Sequence, residues 1–177
     1  MKYLRRLLWF ITVRLFGVCV IGAILVIAFY MSMNITNIIV LMKDGMAERA
    51  QVILHTDEDP QELMKFFSYD CLARDADVGR ALAGNSPYAD YDIRGMDHRL
   101  KIETMWTWPW DNTATATVLE SVPSIDGKVK STRREAVLAE GGEGAANPPA
   151  WPIVRYRVTL TRESGRWIIS SIITSGG

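Results

Sequence analysis

Residues 15–42 read LFGVCVIGAILVIAFYMSMNITNIIVLM, a run of 28 positions with no ionisable side chain other than Cys19 and Tyr30. Positions 15–33 are almost wholly apolar. At a rise of about 1.5 Å per residue, about 20 helical residues cover the roughly 30 Å hydrocarbon core of a bilayer, so the run is long enough to cross one. Its last third, with Asn34, Thr36 and Asn37, then falls at headgroup level. A single helix is the expected form, because a lone segment in lipid must satisfy its backbone N–H and C=O groups internally.

The flanks give this helix a direction. Lys2, Arg5, Arg6 and Arg14 stand before it without an acid, a local charge of +4 that leaves −4 for the rest of a formally neutral chain. After it, Lys43 and Asp44 cancel. The positive-inside rule therefore predicts a basic cytoplasmic tail at 1–14 and a transmembrane helix with its outer extension at 15–42. A juxtamembrane helix or linker follows at 43–58, and an extracytoplasmic domain at 59–177, in the cell membrane. A cleaved signal peptide has a shorter apolar region and a small-x-small end, which Ala28-Phe29-Tyr30-Met31 lacks. Phe16-Gly17-Val18 before Cys19 is a poor lipoprotein box, so the helix is expected to stay as an anchor.

Composition narrows the classes further. Across 177 residues, 20 basic and 20 acidic side chains and 49% hydrophobic content exclude a disordered tail, a strongly basic nucleic-acid binder and a multi-pass membrane protein. Cys71 is the only cysteine outside the span, so no internal disulfide can staple the outer domain. His55 and His98 share no helical face, and neither zinc nor haem spacing is present, so no metal and no cofactor are expected. The acidic run Asp57, Glu58 and Asp59 reads as a solvated loop ending in a helix cap. The glycines at 141, 142 and 144 lack the lysine and helix of a phosphate-binding loop.

Beyond the span, Met42, Met46, Ala47, Ala50, Ile53 and Leu54 recur at helical spacing, so the membrane helix continues outward or hands over to an amphipathic one. Asp59 as cap, Pro60 and Glu62 predict a new helix from 59 to about 74, with Leu63, Phe66, Phe67 and Cys71 as its apolar stripe. A short helix at 78–82 follows. Positions 100–110 alternate and predict a strand with Leu100, Ile102, Thr104, Trp106, Trp108 and Trp110 on one face and Met105 on the other. Further strands are expected at 113–122, 128–138, 154–162 and 167–174. Ile125-Asp126-Gly127-Lys128 reads as a tight turn, Glu163-Ser164-Gly165-Arg166 as another, and 141–149 as a mobile loop. Helices first and antiparallel strands afterwards define an α+β domain with helices packed on one face of a curved antiparallel sheet.

Two stretches carry a resemblance. Residues 62–73, ELMKFFSYDCLA, and 156–169, YRVTLTRESGRWII, resemble the opening helix and closing hairpin of the nuclear transport factor 2-like (cystatin-like) superfamily. The resemblance covers about 59–174 and implies a cone-like domain whose helix lies in the concavity of the sheet. A membrane-anchored version is similar to bacterial subunits that assemble secretion, conjugation or sporulation channels of the envelope. The superfamily hosts enzymes, binding modules and scaffolds alike, so it implies fold more than function.

The candidate ligand pocket inside such a cone is Phe67, Tyr69, Asp70, Trp106 and Trp108, with Asp97 and His98 as further acid–base residues. Trp110, after Pro109, is expected at an exposed bend. Lys128, Lys130, Arg133 and Arg134 form a basic patch suited to anionic lipid; with no aromatic residue between them, no specific nucleic acid is expected. The expected protein is non-enzymatic and binds or assembles partners at a membrane surface: lipid, a protein partner or a second copy. A pocket for a small apolar ligand is the alternative, with an isomerase- or hydratase-like enzyme as its extension.

Overall fold

A computed structural model describes residues 2–55 and 60–176, and its first element, α1 (Lys2–Ile53), is one unbroken helix of 52 residues. The helix has two environments. Its inner half is exposed on all sides, and the stretch from Trp9 is long and apolar enough to cross a membrane. From Asn34 onward, burial recurs every fourth residue at Asn34, Ile38, Met42, Met46 and Ala50, the stripe of a helix lying on a core. Residues in both the 15–42 and the 43–58 segments, from Ile38 to Leu54, thus pack in the core of the C-terminal domain. The segment read as a juxtamembrane helix or linker is the continuation of α1 to Ile53 and forms the domain's central helix. The cap at Asp59 and the acidic run at 57–59 lie outside the described residues.

The helix expected at 59–74 is broken. A 3₁₀ turn (Glu62–Lys65) is followed by α2 (Tyr69–Arg74) and α3 (Ala76–Leu82). Between turn and helix the backbone leaves its own hydrogen bonds for the sheet: Ser68 N–H donates to Ile169 O at 2.9 Å, and Ile169 N–H donates to Phe66 O at 2.8 Å. Ser68 then caps α2, its hydroxyl accepting from Cys71 N–H at 3.2 Å. The apolar stripe survives this break, with Leu63, Phe67 and Cys71 buried. The C-terminal half of α1 therefore rests on the sheet beside the 62–73 segment, which is bridged to β6 at Ile169.

Six strands follow: β1 (Tyr91–Met96), β2 (Arg99–Trp106), β3 (Thr113–Ser121), β4 (Ile125–Val129), β5 (Val154–Glu163) and β6 (Arg166–Thr174). One antiparallel sheet has the order β2-β3-β5-β6, and β1 and β4 form a separate antiparallel pair. The two sheets are one long hairpin with a joint, because Met96 pairs with Ile125, Arg99 pairs with Ser121, and Asp97 N–H bonds Ser124 O between them. The predicted turn at 125–128 is thus strand. Gly127 is needed there for space: a Cβ would meet Asp92 O at 3.0 Å and Ile93 Cα at 3.1 Å.

With β4 ending at Val129, no partner remains for a strand at 130–138. Instead Arg134–Gly141, rich in Ala, Glu and Leu, forms helix α4. The expected mobile loop holds a second 3₁₀ turn (Glu143–Ala146), tied down by Tyr91 Oη donating to Ala145 O at 3.1 Å.

Alternation decides the faces of the main sheet. Ala114, Ala116, Val118 and Glu120 of β3, Tyr156, Val158 and Leu160 of β5, and Trp167 and Ile169 of β6 all turn inward. In β2 the register slips between Ile102 and Thr104, a bulge that inverts the phase of everything after it. Leu100, Ile102 and Met105 therefore pack on the core, while Thr104 and Trp106 turn outward. The outer face is rich in threonine and is crossed by an Arg155–Glu103 ion pair at 2.9 Å.

α1 fixes the direction of the strands. Trp167 Nε1 and Arg162 Nη2 donate to Asn34 Oδ1 at 2.7 and 3.3 Å, whereas Val154, at the other end of β5, lies by Ile53. The β2–β3 and β5–β6 connections thus both sit at the Asn34 end of the domain. The β1–β4 pair lies at the other.

Candidate binding groove

The sequence-derived pocket does not assemble. Phe67 is buried and bridged to Ile169, Tyr69 and Asp70 are exposed on the first turn of α2, and the bulge puts Trp106 on the outer face. Trp108 lies beyond the end of β2, partly exposed. Trp110 is exposed at a bend, as its Pro109 neighbour implies. Of the basic patch, Lys130 donates to Ala89 O at 2.7 Å and Arg133 pairs with Asp90 at 2.8 Å, both bracing the start of β1. Lys128 on β4 and Arg134 on α4 are exposed. All four lie at the end of the hairpin far from Asn34.

A different set of residues converges where α1, α2 and α3 meet β5 and β6. Arg49 comes off the buried stripe of α1 and is only 3% exposed. Its Nε bonds Asp75 Oδ2 at 2.6 Å, and its Nη2 bonds Asp75 Oδ1 at 3.1 Å and Asp77 Oδ2 at 3.2 Å. Its Nη1 faces Glu120 Oε2 at 3.8 Å. Glu120 is fully buried at the inward phase of β3, and its other oxygen meets His98 Nε2 at 3.0 Å. The Tyr156 ring lies 5.7 Å from the guanidinium carbon. A buried arginine must be paired in this way, since an isolated charge at such a depth is prohibitively expensive.

Asp75 has two duties. Its Oδ1 also accepts from Asp77 and Val78 N–H groups, at 3.0 and 3.2 Å, capping α3. Burial alone would push its carboxyl up, but the hydrogen bond and charge of Arg49, with the two backbone bonds, outweigh this and hold it below the usual carboxylate range. Because the folded value lies below the unfolded one, this stabilisation is present at neutral pH and is lost as pH falls through the depressed value. Asp75→Asn retains a capping oxygen but carries no charge. Its stability deficit relative to wild type is expected to be constant near neutrality and to shrink in acid. Thermal unfolding midpoints of both chains across pH check this; a deficit independent of pH would refute it.

The cluster forms one wall of an open groove with two lobes. The polar lobe, of about 340 Å³, is lined by Arg49, Cys71, Asp75, Asp77, Tyr156 and the backbone-rich edge of β6. The apolar lobe, of about 310 Å³, shares Asp77, Tyr156 and Thr174 and adds Ile53, Pro87, Tyr88, Trp151 and Val154. Tyr88 and Trp151 stack at 6.0 Å and 20°. The Trp151 indole N–H is buried and finds no hydrogen-bond acceptor among the described residues. Burial pushes the Cys71 thiol up, which keeps it protonated, and pushes the Tyr156 phenol up against the opposing charge of Arg49. The groove thus offers a charged rim and an apolar wall. That is a surface for holding an amphipathic group.

Sequence reasoning missed Arg49, Glu120, Tyr156 and Trp151. Two had a usable signal: Arg49 is three residues from Met46 on an apolar helical stripe, and Glu120 continues the inward series Ala114, Ala116, Val118. No family model, curated protein or solved structure matches this chain.

Proposed function

We propose that this chain is a single-pass membrane protein that works by binding rather than catalysis, holding a partner at the groove between α2, α3 and β6. The observation that carries the reading is the continuity of α1. The helix that is apolar and exposed over its inner half becomes the central helix of the domain without a break, so span and domain form one body. Arg49 lies about 22 Å beyond Asn34 along the helix, at 1.5 Å per residue, so the groove opens well clear of a bilayer that ends near Asn34. A partner reaches it from the water.

On the same reading, Lys2, Arg5, Arg6 and Arg14 keep the N-terminus in the cytoplasm and the domain outside, in the cell membrane of a bacterium. The jointed hairpin and the helix laid on one sheet face support a cone-like domain similar to the nuclear transport factor 2-like superfamily, used as an accessory subunit of an envelope complex.

The test is site-specific photocrosslinking of the full chain in its membrane, with the reactive group at Ile173 on the groove rim and, as control, at Lys101 on the outer face of β2. A discrete adduct at Ile173, absent at Lys101 and abolished by Asp77→Lys, is the expected result. Equal crosslinking at both positions would sink the proposal. The apolar lobe beside the stacked Tyr88 and Trp151 favours a second reading, a small apolar ligand. Saturable quenching of Trp151 by such a compound, without any adduct at Ile173, would put that reading first.

A further inference from the structure

Three indoles stand out of the domain side by side. Trp106, Trp108 and Trp110 are 65%, 42% and 67% exposed, although tryptophan is among the side chains that gain most from leaving water. They touch one another: Trp106 meets Trp108 edge-on at 5.4 Å, and Trp108 stacks on Trp110 at 5.3 Å and 8°. A reciprocal pair of bonds holds them out. Asp111 N–H donates to Trp108 O at 3.1 Å, and Trp108 N–H donates to Asp111 Oδ2 at 3.0 Å, around Pro109 in a tight turn. This is a built projection, since the turn is locked while its side chains are left uncovered.

Its place in the fold says what covers it. The turn joins β2 to β3 at the Asn34 end of the domain. From its last residue, Asn112 O accepts from Arg162 N–H at 2.8 Å, and Arg162 in turn reaches Asn34 on α1. The indoles are therefore level with the point where α1 stops being exposed and apolar. Trp9, at the other end of the apolar stretch, lies 25 residues before Asn34, about 37 Å along a helix, slightly more than a hydrocarbon core of about 30 Å. Indoles at both ends of that length occupy the two headgroup interfaces, where a ring with one polar N–H is most at home.

We infer that Trp106, Trp108 and Trp110 form a membrane-docking knob that inserts into the outer headgroup interface beside α1. This rests on the membrane-spanning reading of α1. With a second attachment away from the helix axis, the domain cannot rotate about α1 and the groove is held at a fixed azimuth above the lipid. The ligand is the phospholipid interface itself; a protein that covers the same indoles is an alternative that the test separates.

The experiment uses the full chain reconstituted in vesicles of phosphatidylcholine and phosphatidylglycerol, with part of the phosphatidylcholine brominated either near the carbonyl end or near the methyl end of its acyl chains. One variant, Trp9→Phe, retains the knob. A second, with Trp106→Phe, Trp108→Phe and Trp110→Phe, retains Trp9, and a third with all four changes gives the background from Trp151 and Trp167. The changes in the knob are at exposed positions and leave the core untouched. After subtraction, the knob is expected to lose emission to the shallow bromines more than to the deep ones, and to emit further to the blue in vesicles than in a non-brominated detergent exchange control. Quenching of Trp9 with none of the knob would overturn the inference while leaving α1 in the bilayer, and would point to a protein on the indoles. Quenching of neither would overturn the span itself.

Discussion

Arg49→Ala is expected to destabilise the domain by roughly 3–5 kcal/mol, the range for removing one partner of a buried charge pair. The cost arises from what is left behind. Glu120 is fully buried with only His98 to hold it, and Asp75 loses two bonds of its rim contact while still capping α3. Arg49→Lys is expected to recover only part of the loss, because a single ammonium cannot match the fork that reaches Asp75, Asp77 and Glu120 together. Arg49→Met combined with Glu120→Gln is expected to lose less than Arg49→Met alone, since the second change removes the buried carboxylate charge that the first leaves uncompensated, while Asp75 still lacks its partner. Urea unfolding of the full chain in detergent micelles, followed by the near-ultraviolet signal of the tryptophans, measures each of these variants. An Arg49→Ala loss within about 1 kcal/mol, the size of an exposed ion pair, would mean that water reaches the cluster.

The second large effect concerns the inner half of α1. Ile21 and Leu25 are exposed, one turn apart on one face, near the middle of the apolar stretch. Ile21→Arg together with Leu25→Arg is expected to oppose insertion by about 5–7 kcal/mol, at about 2.5–3.5 kcal/mol for each arginine at mid-bilayer. The doubly substituted chain should leave the membrane fraction on carbonate extraction. Its domain should unfold in detergent at the wild-type midpoint, because neither residue packs in the core. Retention in the membrane after carbonate would show that this helix is not what holds the chain there.

How much of this was legible in the sequence depended on whether the signal was local. The closing hairpin was, since β5 and β6 alternate cleanly and Ser164 and Gly165 take the positive φ values, 49° and 84°, that a two-residue turn requires. The apolar stretch was legible by length alone. The bulge in β2 was not: it adds no turn residue and changes no composition, yet by shifting phase it exchanges Met105 for Trp106 on the core face. The break at Phe66, Phe67 and Ser68 was equally hidden, because it is imposed by Ile169, a hundred residues downstream in sequence terms and adjacent only once folded. Asp126-Gly127 misled for a further reason. Its glycine serves the close passage of Asp92 and the neighbouring strand, and a turn and a crowded strand call for the same residue. Arg49 and Glu120 were each visible as a charge out of phase with its own element; what the sequence lacked was the crossing of α1 over β3 that makes them partners.

An uninterrupted α1 also makes the molecule a lever. The rod from Phe10 to Ile53 has no hinge, and its outer half is gripped by β6, the 3₁₀ turn at Glu62–Lys65 and α3. On the membrane-spanning proposal, a tilt of the rod by about 10°, within the ordinary range for a single span, displaces residues about 25 Å beyond the pivot by about 4 Å. On the proposal that α1 spans a bilayer, any change in its tilt would thus reach the distal surface as motion of the whole domain.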